Sequence, residues 1–279
     1  MNLHLLACQI EIPRIRDAAA RDAHLARTAE KIRMAIGLVP PDLVVLPELS
    51  AMEYSDDAFA CLEALEEPLH GPSFETYSAL ARTIGAGIVY GFALRDGDAR
   101  YICQAVVDSK GELVGHFEKL HIANYGDSAE AAHFSPGHRL FVFELRGLRI
   151  APVICYDIRF PELTSRLVDL DVDVVLQCSA YATDLSFYSW RHFVVTRAME
   201  AQVAWLGLNR AGDGWGGSVF SAPFVDESAP EQQLGKEEKF WPIEIPSDQR
   251  ARVRAITPYH ADRRHDYAAL PVIEGGVMR

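Results

Sequence analysis

Residues 150–163 read IAPVICYDIRFPEL, and the fold predicted for this chain is organised around them. An apolar run leads to Cys155 and then gives way to polar residues and Pro161, which is the pattern of a buried strand ending at a sheet edge. Open α/β sheets place their reactive groups at such strand ends. Cys155 alone has two interpretations, because free cysteines are also common in protein cores. A catalytic thiol needs a base and a nearby cation, and both must come from other strand ends.

Helices and strands are predicted to alternate through most of the chain. Amphipathic spacing predicts helices over residues 17–36, 73–85, 163–170 and 190–202. Apolar runs predict strands over residues 3–10, 42–46, 87–94, 101–108, 113–120, 139–144, 148–155, 172–178 and 203–208. Helix-linked strands together with hairpins predict a mixed sheet in an α/β (α+β) protein. Neither a repeat nor a low-complexity linker divides the sequence, so we expect one domain over residues 1–279.

The composition narrows the classes of partner. Asp and Glu number 39 against 27 Lys and Arg, and the resulting net charge of −12 repels nucleic acid and anionic membrane surfaces. No apolar stretch is long enough to span a bilayer and no leader segment is recognised, so we expect a soluble, cytoplasmic protein. The five cysteines are scattered and contain no CxxC pair, which argues against a disulfide framework and against zinc.

Two further ionisable residues follow apolar strands. Glu48 comes just after the predicted strand 42–46, and Lys119 ends the predicted strand 113–120. Each could be an ordinary surface charge, but the apolar neighbours of Glu48 would raise its pKa and suit it to accept a proton. Attack on an amide or nitrile carbon requires a sulfur nucleophile, a base and a cation, and Cys155, Glu48 and Lys119 would supply them at one edge of the sheet.

With these residues in place, the sequence resembles the nitrilase superfamily of carbon-nitrogen hydrolases. The matching segments, in the order of the family, are LPELS around Glu48, EKLHI around Lys119, VICYDIRFPEL around Cys155, RAMEAQ at 197–202, NRAG at 209–212 and GGS at 216–218. CYDIRFPEL looks most like the branch of omega-amidases and Nit-type amidases. The resemblance implies an αββα sandwich that pairs into a four-layer homodimer or a higher homo-oligomer, with no cofactor and no metal.

The resemblance also implies roles for individual residues. Cys155 would be the nucleophile that forms a thioester, and Glu48 the general base. Lys119 and the backbone N–H of Tyr156 would stabilise the oxyanion. Glu130, in the loop before a Pro-Gly pair, matches a second glutamate that orients the other three side chains.

Substrate recognition is less clearly encoded. Arg159 could hold a substrate carboxylate, since a planar guanidinium suits that ion, or could form a structural ion pair with Asp157 or Glu162. The sequence departs from the common family pattern at 102–105 (ICQA) and at 178–181 (CSAY), near the expected pocket. We therefore expect Tyr181 to line the pocket and the substrate to differ from those of well-known branches.

These features together predict a small-molecule hydrolase. The predicted reaction is cleavage of a small linear carboxamide to carboxylate and ammonia. Two alternatives stay open: hydrolysis of an N-carbamoyl amino acid or a nitrile on the same residues, and a non-catalytic dimeric interaction protein. A glutamine-fed synthetase is disfavoured, because no Gly-rich phosphate loop follows.

Overall fold

The computed structural model describes residues 2–124 and 128–273. The strands within these ranges are β1 (Asn2–Gln9), β2 (Leu43–Val45), β3 (Gly87–Asp96), β4 (Ala99–Val107), β5 (Leu113–Glu118), β6 (Phe143–Leu145), β7 (Leu148–Ile154), β8 (Val174–Cys178), β9 (Ala204–Leu208), β10 (Val219–Ser221), β11 (Gln232–Gln233) and β12 (Lys239–Pro246). They form two six-stranded sheets, ordered β12-β1-β2-β3-β4-β5 and β11-β10-β9-β8-β7-β6.

Helices lie between the strands in the chain. The α-helices are α1 (Ala18–Ala35), α2 (Asp56–Phe59), α3 (Leu62–Leu65), α4 (Pro72–Ile84), α5 (Glu130–His133), α6 (Pro161–Asp169), α7 (Tyr188–Ala201), α8 (Gln249–Ile256) and α9 (Tyr259–Asp262). Two 3₁₀ helices span Cys155–Arg159 and Tyr267–Ala269. Of the helices in the described ranges, none has both the length and the apolar character needed to cross a membrane.

The two sheets pack face to face through an apolar core. Leu5 and Val45 of the first sheet share this core with Leu176 and Leu206 of the second, and all four are essentially inaccessible to water. Burial of apolar side chains at about 25 cal/mol per Å² is the main force that holds such layers together.

The outer face of each sheet is covered by helices. Leu25 of α1 and Tyr77 of α4 pack on the first sheet, while Leu167 of α6 and Trp190 of α7 pack on the second. The layer order is therefore α, β, β, α, and the sandwich predicted from the sequence is confirmed.

Strand direction brings the carboxyl ends of several strands from both sheets to the same edge of the sandwich. Strands β1, β2 and β3 are parallel, and β5 runs the same way because β4 is antiparallel to both of its neighbours. In the second sheet β7, β8 and β9 are parallel. The residues that follow these strands meet at one edge of the sandwich.

The structure differs from the predicted elements in several places, among them β10, β11 and α8, which the sequence did not predict. The strand predicted over 139–144 is limited to β6, because Leu140 and Val142 pack against the outer core of the second sheet instead of entering the ladder. No strand is predicted over 239–246, yet β12 pairs with β1 along eight residues. Its Pro242 is tolerated because β12 is an edge strand, where a proline need not donate to a ladder.

The inter-sheet core can be tested by removing one side chain. Leu206 lies on β9 and is fully buried, so Leu206→Ala should leave a cavity and lower the free energy of unfolding by about 2–5 kcal/mol. Urea denaturation measures this change. Leu38→Ala is the matched control, because Leu38 is fully exposed, and it should change stability by less than about 0.5 kcal/mol. Equal effects of the two substitutions would contradict the packing.

A buried histidine gives the fold a pH dependence. His24 of α1 is 3% exposed, its Nε2 is 3.0 Å from the Ser50 carbonyl, and burial lowers its pKa to about 4. Between about pH 6.5 and 4 the unfolded chain binds a proton at this residue and the folded chain does not, so stability falls as the pH falls.

The variant His24→Gln isolates this contribution. The stability advantage of the wild type over the variant should shrink by about 3 kcal/mol between pH 7 and pH 4, since each pH unit is worth about 1.4 kcal/mol. Urea titrations of both proteins across this range provide the measurement. A difference that stays constant with pH would show that His24 titrates alike in both states.

Candidate active site

A buried ammonium ion lies at the centre of the site. Lys119 follows β5, and its Nζ donates to Glu48 Oε1 at 2.8 Å and to Glu130 Oε1 at 2.6 Å. All three side chains are fully inaccessible to water. Each of these buried charges depends on the others, because removal of one would leave its partner as an unpaired charge without water. The structure thus brings together three residues that the sequence singled out separately.

Glu48 is held by groups from the second sheet. Its Oε2 accepts the backbone N–H of Ala180, just past β8, at 2.7 Å. Arg210, just past β9, is buried and donates through Nη2 to the carbonyls of Glu48, Leu49 and Met52 at 2.9–3.0 Å. These bonds fix a turn in which Leu49 has a φ of 45°, a conformation that a branched residue adopts only when its surroundings impose it.

Both carboxylate oxygens of Glu130 accept hydrogen bonds. It begins α5, and its Oε1 accepts the Tyr54 hydroxyl at 2.6 Å as well as the Lys119 ammonium. Its Oε2 accepts the Ala123 N–H at 2.8 Å. Tyr54, Lys119 and Ala123 are all donors to the Glu130 carboxylate, and these bonds hold it against Lys119.

Cys155 occupies a strained position at the end of β7. It begins a 3₁₀ helix with a φ of 42°, and its carbonyl accepts Gln177 Nε2 at 3.1 Å. Asp157 holds this turn, because one carboxylate oxygen accepts the Ile154 N–H at 3.1 Å and the other lies 3.0 Å from the His121 N–H and 2.8 Å from its Nδ1. Strain of this kind is common where a side chain must be presented to a ligand.

The electrostatics suit proton transfer between Cys155 and Glu48. Burial raises the pKa of Glu48, and the charge of Glu130 adds to this effect while Lys119 opposes it. Burial raises the pKa of Cys155 well above its usual value, and the charge of Glu48 acts the same way. Burial alone would lower the pKa of Lys119, but the charges of Glu130 and Glu48 hold it well above its usual value. The resting site therefore contains a neutral thiol, a permanent cation and a carboxylate with raised proton affinity.

A cavity of about 470 Å³ opens onto the cysteine. The side chains that line it belong to Tyr54, Ser55, Asp56, Asp57, Ala123, Ser128, Glu130, Cys155, Tyr156, Ala180, Tyr181, Ala182, Asp184, Ser186 and Trp215. Its volume is that of a small-molecule site. Among the described residues there is no group of three or more His, Cys, Asp or Glu placed to hold a metal ion.

The predicted recognition residues differ in their placement. Tyr156 and Tyr181 line the cavity, and Tyr181 is held by bonds between its backbone and the side-chain amide of Asn209. Arg159 does not line it; the guanidinium donates to the Tyr181 hydroxyl and lies over the Phe193 ring at 5.1 Å. Asp157, suggested as its ion-pair partner, bonds to His121 and Ile154 instead.

Several residues of the site were not predicted from the sequence. Arg210 lies two residues past the buried strand β9, and a similar position singled out Glu48 and Lys119. A cation at such a position could equally have been exposed to solvent. Tyr54 and Trp215 come from loops and give no periodic signal. The N–H of Ala180 could not be predicted at all, since a backbone donor leaves no mark on residue type.

Comparison with known proteins identifies the family of the chain. The carbon-nitrogen hydrolase family model matches residues 6–237. An (R)-stereoselective amidase from a Pseudomonas species is 29% identical over 246 residues, which are 86% of this chain and 85% of the relative. The omega-amidase YafV of Escherichia coli K12 is 28% identical over 196 residues, 70% of each protein.

The fold is shared with solved structures as well. Saccharomyces cerevisiae Nit3, a member of branch 10 of the nitrilase superfamily, superposes with a TM-score of 0.80 at 23% identity over 92% of this chain and 94% of Nit3. Amidases among the sequence relatives support the prediction of an enzyme. The chain belongs to the carbon-nitrogen hydrolase family, the nitrilase superfamily that its motifs predicted.

Proposed function

We propose that this protein is an amidase that hydrolyses a small linear carboxamide to a carboxylate and ammonia through a thioester on Cys155. One observation carries the proposal: the buried Lys119 bridges Glu48 and Glu130 at the cavity that exposes Cys155. A buried cation between two carboxylates is a poor way to gain stability, since apolar residues of similar size do as well or better. A catalytic use explains it, and a purely structural or partner-binding role does not.

The first half of the reaction acylates the cysteine. Cys155 Sγ attacks the amide carbon while its proton passes to Glu48, whose raised pKa suits it to accept that proton. The carbon becomes tetrahedral and its oxygen becomes negative. The C–N bond then breaks, the nitrogen takes the proton from Glu48, and ammonia leaves a thioester behind.

The developing oxyanion needs fixed donors. Lys119 has three N–H bonds, and within the described part of the chain two of them point to Glu48 and Glu130, which leaves the third for the substrate oxygen. The backbone N–H of Tyr156, next to the nucleophile, is the second proposed donor. Such preorganised donors are worth several kcal/mol in a water-poor site.

The second half of the reaction reverses these transfers. A water molecule gives a proton to Glu48 and attacks the thioester carbon. The C–S bond breaks, the thiolate recovers the proton from Glu48, and the acid is released. Protons and bonds balance with the substrate, this water molecule and the side chains named.

The first test removes the nucleophile. Cys155→Ala should reduce ammonia release by a factor of about 10³ or more, because no thioester can form, while far-UV circular dichroism stays unchanged. Wild type quenched in acid should carry a mass increase equal to the acyl group, located at Cys155 by peptide mapping.

The substrates for this test are dicarboxylate monoamides, aliphatic amides, carbamoyl amino acids and nitriles. Release of carbon dioxide with the ammonia would assign carbamoyl hydrolysis instead. Full turnover by the alanine variant would refute the proposal, and so would the absence of any Cys155 adduct.

A second test concerns Glu130, which contacts Lys119 and acts on the reaction through its neighbours. In Glu130→Gln the charge that raises the pKa of Glu48 and of Cys155 is lost, so both pKa values should fall. The acid limb of the pH profile for alkylation of Cys155 by iodoacetamide should therefore move to lower pH.

Alkylation is followed by intact mass and requires no knowledge of the substrate. Cys155→Ala provides the background from the other cysteines. Asp98→Asn, a similar charge removal in the exposed β3–β4 turn, is the control and should leave the limb in place. A limb that stays fixed or moves upward in Glu130→Gln would contradict the electrostatic role of Glu130.

A further inference from the structure

The charge distribution of the cavity wall points to a class of substrate. Besides the buried Glu130, the wall carries three aspartates, Asp56, Asp57 and Asp184, and the described residues that line it include no Lys, Arg or His. We propose that the enzyme prefers carboxamides that carry an ammonium group a few bonds from the amide over amides that end in a carboxylate. This inference rests on the proposed function and specifies the substrate of the same site.

Two of the aspartates keep their charge available to a ligand. Asp57 lies 3.4 Å from Arg14 and 3.2 Å from Arg16, so its charge is largely balanced. Asp56 and Asp184, here called the rim carboxylates, are exposed and take part in no ion pair within the described residues. Asp184 accepts only the neutral N–H of Ser186, at 2.8 Å, among the hydrogen bonds found for it.

The cations near the site are engaged with other groups: Arg14 and Arg16 pair with Asp57, and the buried Arg210 donates to three backbone carbonyls. Lys119 is paired with two carboxylates. The Arg159 guanidinium donates to the Tyr181 hydroxyl, and its central carbon lies 5.7 and 5.8 Å from the ring centroids of Tyr181 and Tyr156. Arg159 is not among the described residues that line the cavity, so a substrate carboxylate would enter beside the rim carboxylates with no cation of those residues to receive it. An ammonium group would be attracted, because a cleft lined by one sign of charge concentrates the opposite ion.

The remaining wall suits an unbranched chain between the two ends of the substrate. Tyr54, Tyr156, Tyr181 and Trp215 give the cavity apolar sides. Methylene groups can pack there while the amide reaches Cys155 and the charged end stays near the solvent-exposed rim.

The test uses three amides of equal length that differ only at the far end. They are 4-aminobutanamide, which is cationic, pentanamide, which is neutral, and glutaramate, which is anionic; each has three methylene groups between the amide and the end group. Shorter and longer homologues of each are included so that chain length does not decide the result. Ammonia release gives kcat/KM for each amide at neutral pH and low ionic strength.

The wild type should favour the cationic amide over the anionic one by about tenfold or more. Raising the salt concentration should reduce this ratio, because the rim carboxylates are exposed and their field is screened. The double variant Asp56→Asn, Asp184→Asn should lose most of the ratio, with a smaller change for the neutral amide. Asp98→Asn removes a carboxylate outside the cavity and should keep the ratio of the wild type.

The outcomes separate this inference from the proposed function. Hydrolysis that is fastest with the anionic amide would overturn the charge preference while leaving the amidase assignment standing. A preference for the cationic amide that neither salt nor the double variant reduces would also overturn it. Absence of hydrolysis with every amide, together with no Cys155 adduct, would overturn the amidase assignment and this inference with it.

Discussion

The ammonium ion of Lys119, enclosed between two carboxylates, is the constraint on which the site depends. Neither Lys119 nor its partners reach water, so each charge is tolerable only while the other two stay in place. Glu48 comes from the end of a strand and Glu130 from the start of a short helix, so the charge pairing ties two separate segments to the end of β5. The same proximity matters for the proposed reaction, since the charge of Glu130 helps to raise the pKa of Glu48.

The backbone is strained at two positions of the site, and buried hydrogen bonds maintain the strain. Leu49 and Cys155 both have positive φ values. Leu49 follows the proposed base Glu48, and Cys155 is the proposed nucleophile. Arg210 holds the first turn through three carbonyls, and Asp157 holds the second through the Ile154 and His121 N–H groups. Burial lowers the pKa of Arg210 to about 10, which still leaves it charged at neutral pH. The strain therefore persists because buried hydrogen bonds would be lost if it relaxed.

Family resemblance predicted the layers of the fold, whereas the residue pattern itself indicated three strand ends for a physical reason. A buried strand must be apolar, so a polar or reactive residue at or just past its end is informative, as at Glu48, Lys119 and Cys155. Glu130 lay in a loop without periodicity, and only the family resemblance indicated it. β12 escaped prediction because Pro242 interrupts its alternation, and a proline in an edge strand looks the same as one in a loop. The surroundings of the Arg159 side chain could not be predicted from the sequence either.

The sequence indicates the proposed reacting residues better than the residues that would recognise the substrate, and Arg159 illustrates the difference. Arg159 is only four residues from Cys155, in the same 3₁₀ helix. Its guanidinium nevertheless lies over the Phe193 ring and donates to the Tyr181 hydroxyl, and Arg159 is not among the described residues that line the cavity. The rim carboxylates come instead from the start of α2 and from the loop before α7, segments that need only be exposed and are free to vary. The family likeness covers the strand ends that bear the proposed reacting groups, whereas the proposed preference for a cationic substrate depends on loops that this likeness does not constrain.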